Sequence, residues 1–215
     1  MYGVRADLLS AMLGVSGDVI RQLHGRWRRA GLAETGVLGP GPVWCWLTRA
    51  GLDACGLPYA CYRPPLGRLA HVHAVGSVRV ALEGWAAYRE AGAYWRGERR
   101  LRWRVGSAAG RRGHVPDGEV LWPETSPHYP GEVWCVEVEL TAKTAARTAR
   151  IMAEMAARAT DYGDETAPGG VARYARVLYV CSPAALGVVE RARGLLPEPA
   201  AARVEVRTLP AGALS

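Results

Sequence analysis

The sequence predicts a mixed α/β (α+β) protein in two parts, and three observations lead to this prediction. Residues 58–67, PYACYRPPLG, contain three prolines, which interrupt helices and mark a linker. Before the linker, two short segments with helical periodicity precede a hairpin-like stretch. After it, the periodicities follow the order α-β-β-β-α-β-α-β, which is typical of a mixed sheet flanked by helices. The predicted parts are therefore residues 1–57, the linker 58–67 and residues 68–215.

The first part predicts two helices joined by a tight turn and followed by a hairpin. ADLLSAMLG has leucines spaced for a short amphipathic helix, and Ser16 can cap the next helix. In that second helix, DVIRQLHGRWRRAGL, the apolar side consists of Val19, Ile20, Leu23, Trp27 and Leu32. The other side is basic and consists of Arg21, His24, Arg28 and Arg29, with Arg26 near the boundary. AETGVLGPGPVWCWLT then predicts two strands around a Gly/Pro tip, and Thr48 can cap a closing helix.

These elements match a winged helix, in which the second helix of a helix-turn-helix enters the major groove of DNA. The net charge of +7 and the pI near 9.5 favour an anionic partner of this kind. We therefore expect double-stranded DNA to contact Arg21, His24, Arg28 and Arg29. The alternative is a small helical subdomain whose arginines are only solvated. A winged helix ordinarily has one more helix ahead of these, and the sequence leaves open whether the natural chain begins earlier.

The second part predicts alternating helices and strands. EVWCVEVELT is an apolar-rich strand in which Glu137 and Glu139 point to one face, because side chains alternate with period two. ARVLYVCSP is a fully apolar strand of the buried, parallel type. The other predicted elements are a helix at 69–92, a strand at 101–105, a strand around Pro116 and Asp117, helices at 143–163 and 183–196, and a last strand at 202–210.

One basic residue of this second part is unusual. Lys143 is the only lysine among 27 basic residues, in a composition that indicates a GC-rich, actinobacterial genome. Arginine is a planar fork that stays charged, whereas lysine is a mobile point charge that can titrate. A retained lysine therefore indicates a position where guanidinium would not serve. The alternative is chance retention on a solvated helix.

Acidic residues on neighbouring strand ends make a candidate metal site near this lysine. Mg²⁺ or Mn²⁺ prefers carboxylates, waters and substrate phosphate, so Asp117 and Glu137 are the candidate ligands and Glu98 a candidate third carboxylate. Such a cation stabilises charge on a phosphate, while Lys143 can orient the attacking water or offset negative charge.

Each acid also has a simpler interpretation. Asp117 lies in P-D-G, which is a strong turn signal. Glu137 and Glu139 could instead form an exposed polar strand face that pairs with Arg147 or Arg150.

The strand order, with Pro116-Asp117 on the second strand and Glu137-x-Glu139 on the third, resembles the PD-(D/E)xK fold of restriction endonucleases. In the usual pattern a lysine lies two residues after the second acid. Here that place is Glu139, and Lys143 lies four residues further on, where a long side chain at the start of a helix could swing back.

Four motifs, taken with the winged helix, resemble the replication-relaxation family of plasmids, integrative elements and phages. They are H-x-x-x-V at 71–75, W-x-x-E-x-x-L-R at 95–102, H-x-P-D at 114–117 and V-E-V-E-L-T-x-K at 136–143. The resemblance implies a DNA-binding protein that acts in replication or transfer of mobile DNA, with other replication or transfer proteins as partners. The motif positions, which are the candidate catalytic residues, are Glu98, Asp117, Glu137, Glu139 and Lys143.

Further basic residues precede the acids. A phosphate-tracking groove is the expected role of the arginine cluster Arg96, Arg99, Arg100, Arg102, Arg104, Arg111 and Arg112. His114 could contact phosphate or act as an acid–base group, and the alternative is a local hydrogen bond.

The remaining features narrow the class of protein. No apolar run reaches the roughly 18 residues of a membrane span, and the five cysteines lack a C-x-x-C pair. We therefore expect a reduced cytoplasmic protein with neither a membrane nor a zinc site, and a homodimer is left open. Two functions stay open: a metal-dependent DNA nuclease or nickase, and a non-catalytic DNA-binding accessory or transcriptional regulator with a degenerate nuclease fold.

Overall fold

The computed structural model describes residues 2–106, 114–141, 143–158 and 173–210, and the side chains of 104–106 lie outside that description. Contacts divide the chain into two compact units, with the division between Ala81 and Leu82. The segment 58–67, which we predicted as a linker, belongs to the first unit, and the division lies inside a helix. None of the helices in the described ranges combines the length and the apolar character that crossing a membrane requires.

The first unit contains an antiparallel three-stranded sheet of order β1-β3-β2, with helices between β1 and β2 and after β3. Its elements are β1 Val4–Arg5, α1 Ala6–Leu13, α2 Gly17–Arg29, β2 Ala33–Gly36, β3 Trp44–Leu47 and α3 Arg49–Ala54. The predicted order of two helices, a hairpin and a closing helix is confirmed. The short strand β1, ahead of the first helix, was not predicted.

Two predicted caps explain where helices of this unit begin. Ser16 Oγ accepts a hydrogen bond from Val19 N at 3.4 Å, and Thr48 Oγ1 accepts one from Gly51 N at 3.0 Å. Gly51 also allows two backbone segments to approach closely. A Cβ at this position would lie 1.9 Å from the backbone oxygen of Leu32, so only glycine lets α3 approach the connection between α2 and β2 this closely.

The predicted faces of α2 need one correction. Ile20 is buried as expected, but His24, which we placed on the DNA-binding side, is only 8% exposed. Its ring lies 6.1 Å from that of Trp27, and burial lowers the pKa of His24. Val19, predicted on the apolar side, is exposed instead. The packing face of α2 is thus rotated towards the i, i+4 pair Ile20 and His24, and His24 is withdrawn from the candidate DNA contacts.

The second unit is built around a five-stranded mixed sheet of order β4-β5-β6-β7-β8. The pairs β4–β5 and β5–β6 are antiparallel, whereas β6–β7 and β7–β8 are parallel. Its strands are β4 Tyr94–Gly97, β5 Gly118–Leu121, β6 Val133–Glu139, β7 Arg176–Cys181 and β8 Val204–Thr208. The helices from the division onwards are α4 Leu69–Gly84, which contains the division, α5 Ala86–Ala91, α6 Glu98–Gly106, α7 Ala145–Ala157, α8 Pro183–Gly194 and α9 Glu198–Ala201.

Two predicted elements differ from this arrangement. The segment predicted as a strand at 101–105 is the helix α6, and the first strand of the sheet ends at Gly97. Leu101 is fully buried, and the carboxylate of Glu98 pairs with Arg102 one helical turn later, so tertiary packing and an i, i+4 ion pair favour the helix. The helix predicted at 69–92 is interrupted at Trp85, where the backbone is extended and α5 begins.

One face of this sheet packs against α7 and α8. Cys135, Tyr179 and Cys181 point to this face, where they pack with Met152 and Val189. Strand β7, which is apolar from Val177 to Cys181, is parallel to both neighbours, as its sequence predicted. The same face carries the acidic side chains of β5 and β6.

Candidate functional site

Asp117, Glu137 and Glu139 lie on one face at one end of β5 and β6. Gly118 pairs with Val136 in the antiparallel register, so Asp117, one residue before β5, is opposite Glu137. Residues opposite each other across a sheet share a face and have Cβ atoms about 5 Å apart. Glu139 follows Glu137 by two residues and shares the face for that reason. The predicted convergence of these acids is therefore present.

The carboxylate of Asp117 lies among the strand-end acids and also makes a structural hydrogen bond. Its side chain is 8% exposed, and its Oδ2 accepts a hydrogen bond from Val138 N at 2.9 Å. Its carbonyl oxygen accepts another from Glu98 N at 2.9 Å. Asp117, one residue before β5, thus joins the end of β6 to the first residue of α6. It lies at the entry to a strand, where the P-D-G sequence indicated a turn.

Glu137 is paired with His114. The Nε2 atom of His114 lies 2.7 Å from Glu137 Oε1. Burial and the nearby charge of Asp117 raise the pKa of Glu137 to about 7, although His114 and Lys143 act in the opposite direction. Burial lowers the pKa of His114, but the hydrogen bond and charge of Glu137 outweigh it, so this pKa lies above its ordinary value. Both groups of this pair therefore hold a proton to higher pH than they would in water.

Two side chains at the end of α7, Glu154 inside the helix and Arg158 directly after it, bind the backbone N–H and C=O of His114. Glu154 Oε1 accepts a hydrogen bond from His114 N at 3.0 Å, and Arg158 Nη2 donates one to His114 O at 2.9 Å. Arg158 also contacts Glu154 at 3.2 Å. The imidazole is thus held against Glu137 by a helix that begins after the acidic strand.

Lys143 returns to the acidic strand. Its ammonium lies 2.6 Å from Glu139 Oε2, and its side chain is 37% exposed. Thr144, the next residue, caps α7 by accepting a hydrogen bond from Arg147 N at 3.3 Å. Because Thr144 caps the helix, the backbone at Lys143 is held in place. From there the side chain of Lys143, although four residues beyond the usual position, reaches the end of β6.

Glu98 does not complete a preassembled metal site with Asp117 and Glu137. Its carboxylate pairs with Arg102 at 2.7 Å. Among the described residues, no three His, Cys, Asp or Glu side chains are grouped so that they could hold a metal ion. The predicted three-carboxylate set is therefore not formed, and two strand-end acids remain as the candidate ligands.

A buried ion network next to these acids was not predicted from the sequence. Glu119 is fully buried on the same face, and its carboxylate accepts a hydrogen bond from Tyr174 Oη at 2.6 Å. It also pairs with Arg96 at 3.1 Å and with Arg173 at 3.2 Å. In the sequence, the only signal of this network is a carboxylate two residues after Asp117, inside a strand. Its two arginine partners are 23 and 54 residues away, so no local pattern identifies them.

The predicted basic contacts fall into three groups. Arg96 turns its guanidinium to Glu119 and its side chain is only 16% exposed, which removes it from the candidate DNA contacts. Arg111 and Arg112 lie outside the described residues. The remaining candidates are on helix surfaces: Arg21, Arg28, Arg29 and Arg100 are exposed, and Arg99 is half-buried.

The paired His114 and Glu137 give a testable pH dependence of stability. Between the ordinary Glu pKa of 4.5 and about 7, the folded chain keeps a proton that the unfolded chain releases. His114, with a raised pKa, adds to the same sign above pH 6.5. Stability should therefore fall as pH rises from 5 to 8, by on the order of 1–3 kcal/mol.

The measurement is the free energy of unfolding by urea at several pH values. The comparison is Glu137→Gln, which keeps the shape of the side chain but cannot ionise, so its stability should change less over this range. An equal pH slope in both proteins would show that other groups cause the dependence.

No protein-family model, no curated protein and no solved structure matches this chain.

Proposed function

We propose that this chain is a DNA-binding protein of a mobile element, with a winged helix in its first unit and a metal-dependent DNA-nicking site in its second. The observation that supports it most is the convergence of Asp117, Glu137 and Glu139 at one strand end, reached by the only lysine of the chain. The proposal includes the family resemblance to replication-relaxation proteins, and it makes double-stranded DNA the partner.

The residues at the strand end fit Mg²⁺ or Mn²⁺ in a two-carboxylate arrangement. Mg²⁺ commonly takes one or two protein carboxylates and fills its other positions with water and substrate phosphate. Asp117 and Glu137 would hold the ion, and their mutual repulsion, which helps raise the pKa of Glu137, would be relieved by a cation. When bound, the ion would supply charge stabilisation to the phosphate and a more acidic water.

Lys143 and His114 have complementary roles in this proposal. The ammonium of Lys143, already 2.6 Å from Glu139, carries the positive charge that offsets negative charge on the phosphate oxygens. His114 is hydrogen-bonded to Glu137, and in this proposal it holds that carboxylate until the ion binds. Its imidazole can afterwards take up or deliver a proton at Nε2, since histidine titrates near neutral pH.

The first unit supports duplex binding through α2. Arg21, Arg28 and Arg29 are exposed on this helix, and the preceding turn and helix α1 match a helix-turn-helix. Its hairpin tip, residues 37–43, carries no charged residue, so phosphate contacts should come from α2. A salt dependence of DNA affinity is the expected signature of such contacts.

One observation favours a second candidate function. The acids have protein partners, since Glu137 pairs with His114 and Glu139 with Lys143, and no three-ligand group is formed among the described residues. A DNA-binding accessory protein or regulator with a nuclease-like but inactive second unit would show the same arrangement.

A nicking assay on supercoiled plasmid separates the two functions. With Mg²⁺ or Mn²⁺, the wild type should convert supercoiled to open-circular DNA, and Lys143→Ala should reduce the rate about 100-fold because the positive charge is lost. Lys143→Arg, which keeps the charge, tests whether a guanidinium can replace the ammonium.

Arg147→Ala, a change of a neighbouring basic residue on α7, is the matched control. It should leave the nicking rate within about twofold, because only the backbone N–H of Arg147 takes part in the capping hydrogen bond with Thr144. If the wild type leaves the plasmid intact with either metal while still binding it, the non-catalytic function is supported instead.

A further inference from the structure

Helix α6 extends from the acid site and presents an unusual surface. Its first residue, Glu98, donates its backbone N–H to Asp117 O at 2.9 Å, so the helix begins at the candidate metal ligand. We predicted a strand at 101–105, and the outward surface of this segment exists only because the segment is helical.

The rotation of α6 is set by one residue. Leu101 is fully buried, and in a helix the side opposite to it is centred between residues 99 and 103. Trp103 is 42% exposed, and Arg100 next to it is exposed as well. The outward side of α6 is therefore both aromatic and basic.

Arg100 and Trp103 are stacked on each other. The guanidinium carbon of Arg100 lies 4.9 Å from the centroid of the Trp103 ring, which is within the range of a cation–π contact. An exposed indole with an arginine over it is a combination that stacks on nucleobases and contacts phosphate. Inside a duplex, neighbouring base pairs cover the base faces, so this platform fits an unpaired base.

We propose that Arg100 and Trp103 form a stacking platform for an unpaired base of a DNA strand that passes the acid site. The substrate class is then single-stranded or locally unpaired DNA. This inference builds on the proposed function by naming its substrate, but the platform can be tested without metal and without cleavage.

The charge of the surface supports a polyanion as the occupant. Arg99, Arg100 and Arg102 lie on a helix of nine residues whose one acidic side chain, Glu98, is paired with Arg102. An acidic protein segment would also satisfy charge, but it gives no reason for an exposed tryptophan under an arginine. Base stacking accounts for both residues at once.

Fluorescence anisotropy in EDTA measures this binding directly. The probes are fluorescein-labelled oligo(dT) and a duplex of the same length. Trp103→Leu should weaken oligo(dT) binding about tenfold, because one base loses its stacking partner, while duplex binding changes less than about twofold. Trp103→Tyr keeps an aromatic face and should retain most of the affinity for oligo(dT).

The double variant Arg28→Ala/Arg29→Ala is the control for the first unit, and it should weaken duplex binding more than oligo(dT) binding. Equal losses on both probes for Trp103→Leu, or unchanged oligo(dT) binding, would overturn the platform. Absence of oligo(dT) binding by the wild type would overturn it too, and plasmid nicking by the same protein would leave the proposed function standing.

Discussion

Replacing Asp117 with asparagine should reduce plasmid nicking by a factor of about 100 or more and leave the fold intact. The amide oxygen of asparagine can still accept the hydrogen bond from Val138 N, which the carboxylate accepts at 2.9 Å. The negative charge that would hold a divalent cation is lost. The substitution therefore separates the structural contact of Asp117 from its proposed chemistry.

Two measurements check this prediction. The first is the nicking rate of Asp117→Asn with Mn²⁺, and the second is the increase in melting temperature that Mn²⁺ produces, which should be smaller in the variant because binding to the folded state is weaker. Glu124→Gln removes an exposed carboxylate of the same unit and serves as the control. A variant that nicks within threefold of the wild type and responds equally to Mn²⁺ would exclude Asp117 as a ligand.

Replacing Glu119 with glutamine should destabilise the second unit by about 3–5 kcal/mol. Glutamine has nearly the same shape, so little packing is lost. The carboxylate charge, however, is what compensates Arg96 and Arg173, whose side chains are 16% and 12% exposed. Removing it leaves two largely buried guanidinium groups without that charge, and such a loss costs more than the loss of a surface ion pair.

Chemical denaturation measures this effect, because a lower midpoint at an unchanged slope reports a loss of stability alone. Glu190→Gln, at an exposed position of α8, is the matched control and should change the free energy of unfolding by less than about 0.5 kcal/mol. A loss below about 1 kcal/mol for Glu119→Gln would mean that water or a conformational change compensates both arginines. Neither result depends on whether the protein cleaves DNA.

Much of the local structure followed from short-range patterns. Ser16 and Thr48 were identified as caps, and each accepts the backbone hydrogen bond that a cap accepts. The alternation in β6 placed Glu137 and Glu139 on one face, and the apolar run of β7 indicated a strand that is buried between parallel neighbours. These features depend on residues within a few positions of one another, and a sequence displays those relations directly.

Other features did not follow from short-range patterns. Segment 101–105 alternates like a strand, but the burial of Leu101 makes it part of a helix. His24 has the spacing of an exposed basic residue, but the packing of α2 buries it. The i, i+4 spacing of Glu98 and Arg102 is a local signal for the helix, but the burial of Leu101 and of His24 depends on which surface each segment meets.

By itself, the sequence determined most of the order of helices and strands, the caps, and the placement of Glu137 and Glu139 on one face of a strand that the single lysine follows. Only the tertiary structure decided that His114 pairs with Glu137, that Glu119 is held by Arg96 and Arg173, and that α6 displays Trp103 under Arg100. The physical reason is the range of the interactions. Periodicity and capping act over a few residues along the chain, whereas burial and ion pairing join side chains that are tens of residues apart and meet only when the sheet has formed.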